Sequence, residues 1–239
     1  MAFLEAIRSA ETEDIQCSLR RVRWVGHAVL KDESIASTGR NALHWAACGG
    51  HLDLVEKLIA SGVDKDCKDQ SDWTPLMIAV SAGRTQVAKF LIEEARADVN
   101  AVNSTGQRPM HYAASKNRLE IAQCLLSAGA RVDIRDWGGT TPLHRAVSQG
   151  NLDMVKLILE QASSTDVTNI ADNEGSTPLH YACEEDNMSA VRLLLDAGAS
   201  VSYKNKAGKT PLDVAPDVLR LNLTKLLTET GVLRIKIHP

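Results

Sequence analysis

The fragment ALHWAA at Ala42 recurs along the chain as PLMIAV at Pro75, PMHYAA at Pro109, PLHRAV at Pro142, PLHYAC at Pro178 and PLDVAP at Pro211. Its apolar markers Leu43, Leu76, Met110, Leu143, Leu179 and Leu212 are 33, 34, 33, 36 and 33 residues apart. This period constrains the fold more than any other feature, because so small a unit cannot bury its own apolar face. Neighbouring units must stack, and the product is one elongated array whose end units need a more polar outer side.

Each unit repeats the same local chemistry. Thr-Pro at 74, 141, 177 and 210 sets a helix start: the threonine caps orphan amides, and proline at the first helical position loses no needed hydrogen bond. A short first helix follows, with small residues such as Ala46 and Ala47 beside Leu43 that allow close helix approach. A second helix carries one apolar stripe, seen in Leu54, Val55, Leu58 and Ile59, in Ile121, Ala122, Leu125 and Leu126, and in Ala190, Val191, Leu194 and Leu195. Gly62, Gly129 and Gly198 end it, and segments such as Asp133 to Asp136 and Asn100 to Asn103 turn the chain into the next unit.

The pattern resembles the ankyrin repeat, a turn followed by two antiparallel helices. The expected fold class is all-α: an ankyrin-repeat solenoid of helix-turn-helix units with short β-hairpin tips, about seven units including caps. The expected divisions of the single domain are an N-terminal cap at 1–37, full repeats at 38–70, 71–103, 104–136, 137–172 and 173–205, and a C-terminal cap at 206–239. Two irregularities stand out. The step of 36 comes from QASSTDVTNIADNEGS, which is expected to bulge its connection. Arg108 replaces a capping threonine, a loss of roughly 1 kcal/mol of local cap energy.

Composition removes several function classes. A formal charge of −3 over 239 residues gives no field to gather nucleic acid or an anionic membrane. No stretch reaches the ~18 apolar residues of a membrane span, and Glu5 and Arg8 interrupt any export signal. The five cysteines, Cys17, Cys48, Cys67, Cys124 and Cys183, form no CxxC pair, which fits a reducing compartment. A cytoplasmic location, with the nucleus as a second one, is the expectation.

Four histidines recur in the frame: His44, His111, His144 and His180. Stacked units lie about 8–10 Å apart, whereas zinc ligands must sit within about 2.1 Å of a shared ion. The histidines are therefore expected to bond neighbouring backbone at the base of each hairpin, with no metal. AGKTPL at 207–212 ends like a phosphate-binding loop, but Tyr203 stands where its first glycine belongs, so no cofactor is expected. Neither G-x-S-x-G nor H-E-x-x-H occurs, and no catalytic residue is assigned. RRVRW at 20–24 is expected to be the solvated face of a capping helix, the alternative being a nuclear signal or an anion patch.

Lys116 and Asn117 interrupt a run of small and apolar residues. The other units have Gly50, Gly83, Gly150 and Asp186 at the Asn117 position, so this slot ends the first helix with positive φ. At the Lys116 position they have Gly49, Ala82, Gln149 and Glu185, which share no chemistry. The fold does not dictate that residue, and the position marks an exposed concave face. Collecting such positions gives a stripe of Trp45, Cys48, Ile78, Ser81, Tyr112, Ser115, Lys116, Arg145, Gln149, Tyr181, Glu184 and Glu185. The tips add Arg40, Asp72, Trp73, Trp137 and Glu174. From these, the expected partner-binding residues are Arg40, Trp45, Asp72, Trp73, Tyr112, Ser115, Lys116, Arg145, Gln149, Glu184 and Glu185. Aromatic and arginine side chains are what interface centres favour. The stripe runs from aromatic through cationic to acidic, which selects a partner of opposite pattern.

VNAVNSTGQRPMHYAASKNRLEIA (99–122) closely resembles the gankyrin family, ankyrin-repeat assembly chaperones of the proteasome regulatory particle. GRNALHWAACGGH (39–51), SAGR (81–84), NEGSTPLHYACEE (173–185) and NKAGKTPLDVA (205–215) carry the same resemblance. It implies a non-enzymatic protein, monomeric when free, whose groove holds the C-terminal helical domain of one regulatory-particle ATPase subunit until the ring assembles. It further implies that Arg40 and Lys116 pair with partner carboxylates and that Glu184 and Glu185 lie in an acidic region. Thr38 and Gln70 stand where the family has carboxylates, so the expectation is that the acid contacts to partner arginines are either weakened or moved to Asp72. The alternative is an ankyrin regulator of another partner, such as a cyclin-dependent kinase or transcription factor inhibitor.

Overall fold

The computed structural model describes residues 38–162 and 166–229. The N-terminal cap, its RRVRW run and the tail after 229 lie outside the described residues. Twelve α-helices follow one another among the described residues. They are α1 (Ala42–Gly49), α2 (Leu52–Ala60), α3 (Pro75–Ala82), α4 (Thr85–Glu93), α5 (Pro109–Ser115), α6 (Leu119–Ser127), α7 (Pro142–Ser148), α8 (Leu152–Gln161), α9 (Pro178–Glu184), α10 (Met188–Asp196), α11 (Pro211–Val214) and α12 (Asp217–Glu229). The odd-numbered helices pack side by side as an inner row from α1 to α11, and α2 to α10 pack as an outer row. Each inner helix also packs on the outer helix that follows it.

The starts are chemically determined. Thr74, Thr141 and Thr210 accept the amides of Met77, His144 and Asp213 at 3.3, 3.5 and 3.3 Å. Asn41 does this work for α1, accepting from Leu43 at 3.0 Å and His44 at 3.2 Å. Arg108 makes no side-chain cap; its guanidinium instead donates to the Asn100 carbonyl at 2.8 Å. Between the rows, Leu43, Leu76, Met110, Leu143 and Leu179 are fully buried beside Ala47, Ala79, Ala113, Ala146 and Ala182, so the core is a continuous seam through the stack.

The expected β-hairpin tips are corrected: among the described residues no strand forms, and each tip is a turn. Asp69, Asn103, Asp136, Asp172 and Asn205 each close their tip with one backbone bond to the residue four places on, at 2.9–3.0 Å. Side-chain oxygens of Asp69, Asn103 and Asp172 bond the amides two and four places on, which supplies inside the turn what a strand partner would otherwise give. One backbone bond then joins each tip to the next: Gln70 to Thr38, Ser104 to Ser71, Trp137 to Thr105, Asn173 to Gly138 and Lys206 to Glu174. A single bond per step holds register without making a ladder.

The long fourth step is absorbed in part by a folded turn. Residues 167–169 form a 3-10 turn with Val167 and Thr168 buried. Asn169 then clamps the next unit, donating to Gly198 O at 3.3 Å and accepting from Ser200 N at 2.8 Å. Asn100 makes the same clamp on Gly129 and Arg131. Residues 163–165, within the stretch expected to bulge, lie outside the described residues.

Histidine ties neighbouring units together. The Nδ1 of His44, His111, His144 and His180 accepts the amide of the residue three places earlier, at 3.1–3.3 Å. With Nδ1 an acceptor, the proton sits on Nε2, which donates to Trp73, Thr140, Ser176 and Lys209 carbonyls in the next tip at 3.0–3.1 Å. In the second unit Met77 occupies this place and supplies apolar volume alone. Burial lowers all four pKa values, His111 and His144 to about 4. The sign follows directly: below pH 6.5 the unfolded chain takes up protons that folded His111 and His144 refuse until about pH 4. Stability is therefore present above 6.5 and falls with pH across that window. Each of these two histidines should remove on the order of 2 kcal/mol between pH 7 and pH 5. Urea midpoints measured at both pH values should drop accordingly, and equal midpoints would contradict the tie.

Candidate functional site

The inner helices bury all but one edge. In α5 every residue from Pro109 to Ala114 except Tyr112 is buried; Tyr112 and Ser115 are half-buried, and Lys116 beyond them is exposed. The same edge carries Arg145 and Ser148 on α7 with Gln149 just after it, Tyr181 and Glu184 on α9 with Glu185 just after it, and Trp45 and Cys48 on α1. Because these helices pack in sequence, the edges join into one stripe. Asn117, Asp186 and Gly150 follow the helix ends at φ 52°, 53° and 68°, so the slot after Lys116 is indeed a left-handed stop.

Ile78 does not belong to the exposed stripe: it is 4% accessible, a correction to the sequence reading. The reason lies in the tips. Nine residues before each stripe position stands a polar tip residue, and a long polar side chain extends to meet it. Asn103 donates to Tyr112 Oη at 2.8 Å, Arg145 Nη2 to Asp136 Oδ2 at 2.7 Å, and Tyr181 Oη to Asp172 Oδ2 at 2.8 Å. Isoleucine has nothing to offer Asp69, so it folds inward, and Arg40 takes Asp69 instead at 3.0 Å.

These bonds leave clear electrostatic marks. Burial pushes the Tyr112 phenol up to about 12. Burial, reinforced by Asp172, drives Tyr181 higher still. Asp136 is held below the usual carboxylate range: burial opposes this, but bonds from Thr140 and Arg145 outweigh it. The aromatics also lean on each other, with Trp73 and Tyr112 centroids 4.4 Å apart, Tyr181 edge-on to His144 at 5.3 Å, and Arg40 over Trp45 at 5.7 Å.

The residues expected to contact a partner therefore divide into two groups. Arg40, Trp45, Trp73, Tyr112 and Arg145 form a floor braced by contacts within the chain, showing their remaining faces to solvent. Lys116, Gln149, Glu184 and Glu185 are exposed, and their side chains form no hydrogen bond or ion pair among the described residues. Lys116, Gln149 and Glu185 occupy the same repeat position, directly after the last residue of α5, α7 and α9, and Ser115 and Glu184 lie one residue before it. Sequence reasoning missed the bracing by tip residues, although the recurring Asp or Asn nine places ahead was its signal. Among the described residues no three His, Cys, Asp or Glu side chains converge to hold a metal ion, and the four frame histidines spend both ring nitrogens on backbone.

Asp72 sits at the tip position that elsewhere is Gly106, Gly139, Gly175 or Gly208, and like them it has positive φ, 59°. Its ion pair with Lys68, at 3.5 Å, is half exposed and contributes little.

A family model described as ankyrin repeats (three copies) matches residues 25–103, 43–136, 95–169 and 163–236. The chain belongs to the ankyrin-repeat family. This ankyrin-repeat protein is 33% identical over 102 residues to protein phosphatase 1 regulatory subunit 12A of Mus musculus, covering 42% of this chain and 10% of that one. It is 36% identical over 107 residues to protein phosphatase 1 regulatory subunit 27 of Homo sapiens, covering 45% and 65%. It is 33% identical over 102 residues to a probable 26S proteasome regulatory subunit p28 of Saccharomyces cerevisiae, covering 41% and 45%. The matched part thus spans between a tenth and just under two thirds of these relatives.

An L-residue at positive φ costs about 1–2 kcal/mol, less for aspartate, and glycine returns part of that as unfolded-state entropy. Asp72→Gly in this ankyrin-repeat array should therefore raise stability by roughly 0.5–1 kcal/mol. A urea midpoint that stays put or falls would show that Asp72 is unstrained.

Proposed function

We propose that this array is a non-enzymatic protein-binding scaffold whose inner stripe clamps the C-terminal helical domain of a proteasome regulatory-particle ATPase subunit, chaperoning assembly of that particle. The free chain is a monomer and works in the cytoplasm and the nucleus. The observation that carries the reading is the row Lys116, Gln149, Glu184 and Glu185: exposed side chains at adjoining repeat positions, unused within the described chain, passing from cation through amide to two acids. Each step spans about 10 Å, the spacing of packed helices. A partner helix rises 1.5 Å per residue, so an acidic group and a basic pair about 13 residues apart along it would meet Lys116 and the two glutamates. The proteasomal relative and the gankyrin-like segment 99–122, which contains Lys116, support this choice of partner.

Arg40 is a poor probe because it also braces Asp69. Lys116→Glu combined with Glu185→Lys changes only exposed groups. That double variant should weaken binding of the ATPase domain at least about tenfold, or about 1.4 kcal/mol, with an unchanged thermal melt. Undiminished affinity in a titration would place recognition on another face. A second reading comes from the phosphatase regulatory relatives, which match at comparable identity. Titration with protein phosphatase 1 in place of the ATPase domain separates the two, since each reading expects one binder.

A further inference from the structure

Four large apolar side chains are exposed among the described residues, and three of them, Tyr203, Val218 and Leu221, lie toward the C-terminal end of the array. Trp137, in the turn after Asp136, is 67% exposed. An indole left in water is commonly mobile, but this one is fixed. Its Nε1 donates to Ser104 O at 3.1 Å, its backbone N–H donates to Thr105 O at 3.0 Å, and its carbonyl accepts from Asn173 Nδ2 at 2.7 Å. The ring lies on the preceding tip where Gly106 has no side chain; a Cβ there would come within 2.6 Å of the ring. The neighbouring tip repeats the device with a cation. Arg135 lies over Gly139, where a Cβ would approach Nη2 to 2.6 Å, and it donates to Gly139 O at 3.2 Å and Asn173 Oδ1 at 3.1 Å. Asn173 thus bonds both residues, and two glycine tips clear room for an indole and a guanidinium on either side of Asp136, the tip residue that Arg145 of the stripe bonds.

We propose that Trp137 and Arg135 form a pre-built anchor at the lip of the groove, taking a segment of the partner protein that carries a large apolar side chain next to a carboxylate. The proposal rests on the reading that the groove meets a protein, and it adds a contact off the inner helices. Physical grounds favour it. Tryptophan and arginine carry most interface energy when they are held in place. An indole already fixed loses little further freedom on binding, while its face is still available for burial. Arg135 spends Nε and Nη2 within the chain and retains Nη1, which can donate a charge-assisted hydrogen bond to a carboxylate.

The test titrates the ATPase C-terminal domain into the full chain and into Trp137→Ala, Trp137→Phe and the Lys116→Glu/Glu185→Lys form. Trp137→Ala should lose about thirtyfold in affinity, the threshold of an energetic hot spot, while Trp137→Phe, which keeps a flat apolar face, loses less than about threefold. Both Trp137 variants give up the solvent-exposed Nε1 bond to Ser104 O, so any fall in the thermal melt should be small. If the charge-reversed form loses affinity but Trp137→Ala stays within about twofold, the anchor is overturned and the groove reading stands. A melt lowered as much by Phe as by Ala, with affinity intact, assigns Trp137 a structural role and also overturns it. If the domain fails to bind the unmodified chain, the assigned partner falls and a second measurement decides the anchor. Benzoylphenylalanine is placed at 137 and, as a control on the outer row, at Gln123, and is irradiated in cell lysate. A protein adduct at 137, competed by excess unmodified chain but not by its Trp137→Ala form, sustains the anchor. No adduct at 137, or an equal one at Gln123, overturns it.

Discussion

No unit of this chain can close its own core, so everything rests on contact between neighbours. Apolar burial supplies the driving force, since Leu43, Leu76, Met110, Leu143 and Leu179 are sealed only by stacking. Burial alone is non-directional, and the imidazoles supply the register. Each of four histidines spends one nitrogen on its own helix start and the other on the next tip, so a slip between units would strand a buried imidazole N–H donor. The tip-to-tip amide bonds and the Asn100 and Asn169 clamps act at the two ends of the same joints.

That arrangement decides where recognition can occur. An inner helix of seven or eight residues turns almost all of its surface toward neighbours, and a single edge is left over. The sequence varies along that edge because packing does not constrain it. Where a side chain on the edge is long and polar it braces the preceding tip, as Tyr112, Arg145 and Tyr181 do. Where it lies one turn later, at Lys116, Gln149 or Glu185, it reaches nothing within the described chain. The floor of the groove is therefore stiffened by the fold, and its charged row is not used by it.

Most of the architecture was legible in the chain because it is written locally. Thr-Pro starts, glycine stops and the paired apolar stripe act over a few residues and repeat at a fixed interval, and the histidines could be assigned by distance alone. Contacts over nine or about thirty residues were not legible in the same way. Sequence reasoning treated Arg40 and Arg145 as open cations, yet each holds a tip aspartate, Asp69 and Asp136. Ile78 looked like a stripe residue by position and is buried because it lacks a polar end. The tips looked like hairpins and are turns, since their own aspartate and asparagine side chains take the amides that a strand would have paired.

The central claim is that folding and recognition use different residues of the same short helices. Equilibrium urea unfolding tests it most directly, with Lys116, Gln149, Glu184 and Glu185 all changed to alanine in one variant and His144 alone changed in another. The fourfold variant should unfold at the midpoint of the unmodified chain, whereas His144→Ala, which leaves the buried Thr141 amide unpaired, takes one of two partners from the Ser176 carbonyl and opens a cavity, should lose about 2–4 kcal/mol. If the fourfold variant were destabilised as much as the single one, the exposed row would belong to the fold, and the separation argued for these helices would be wrong.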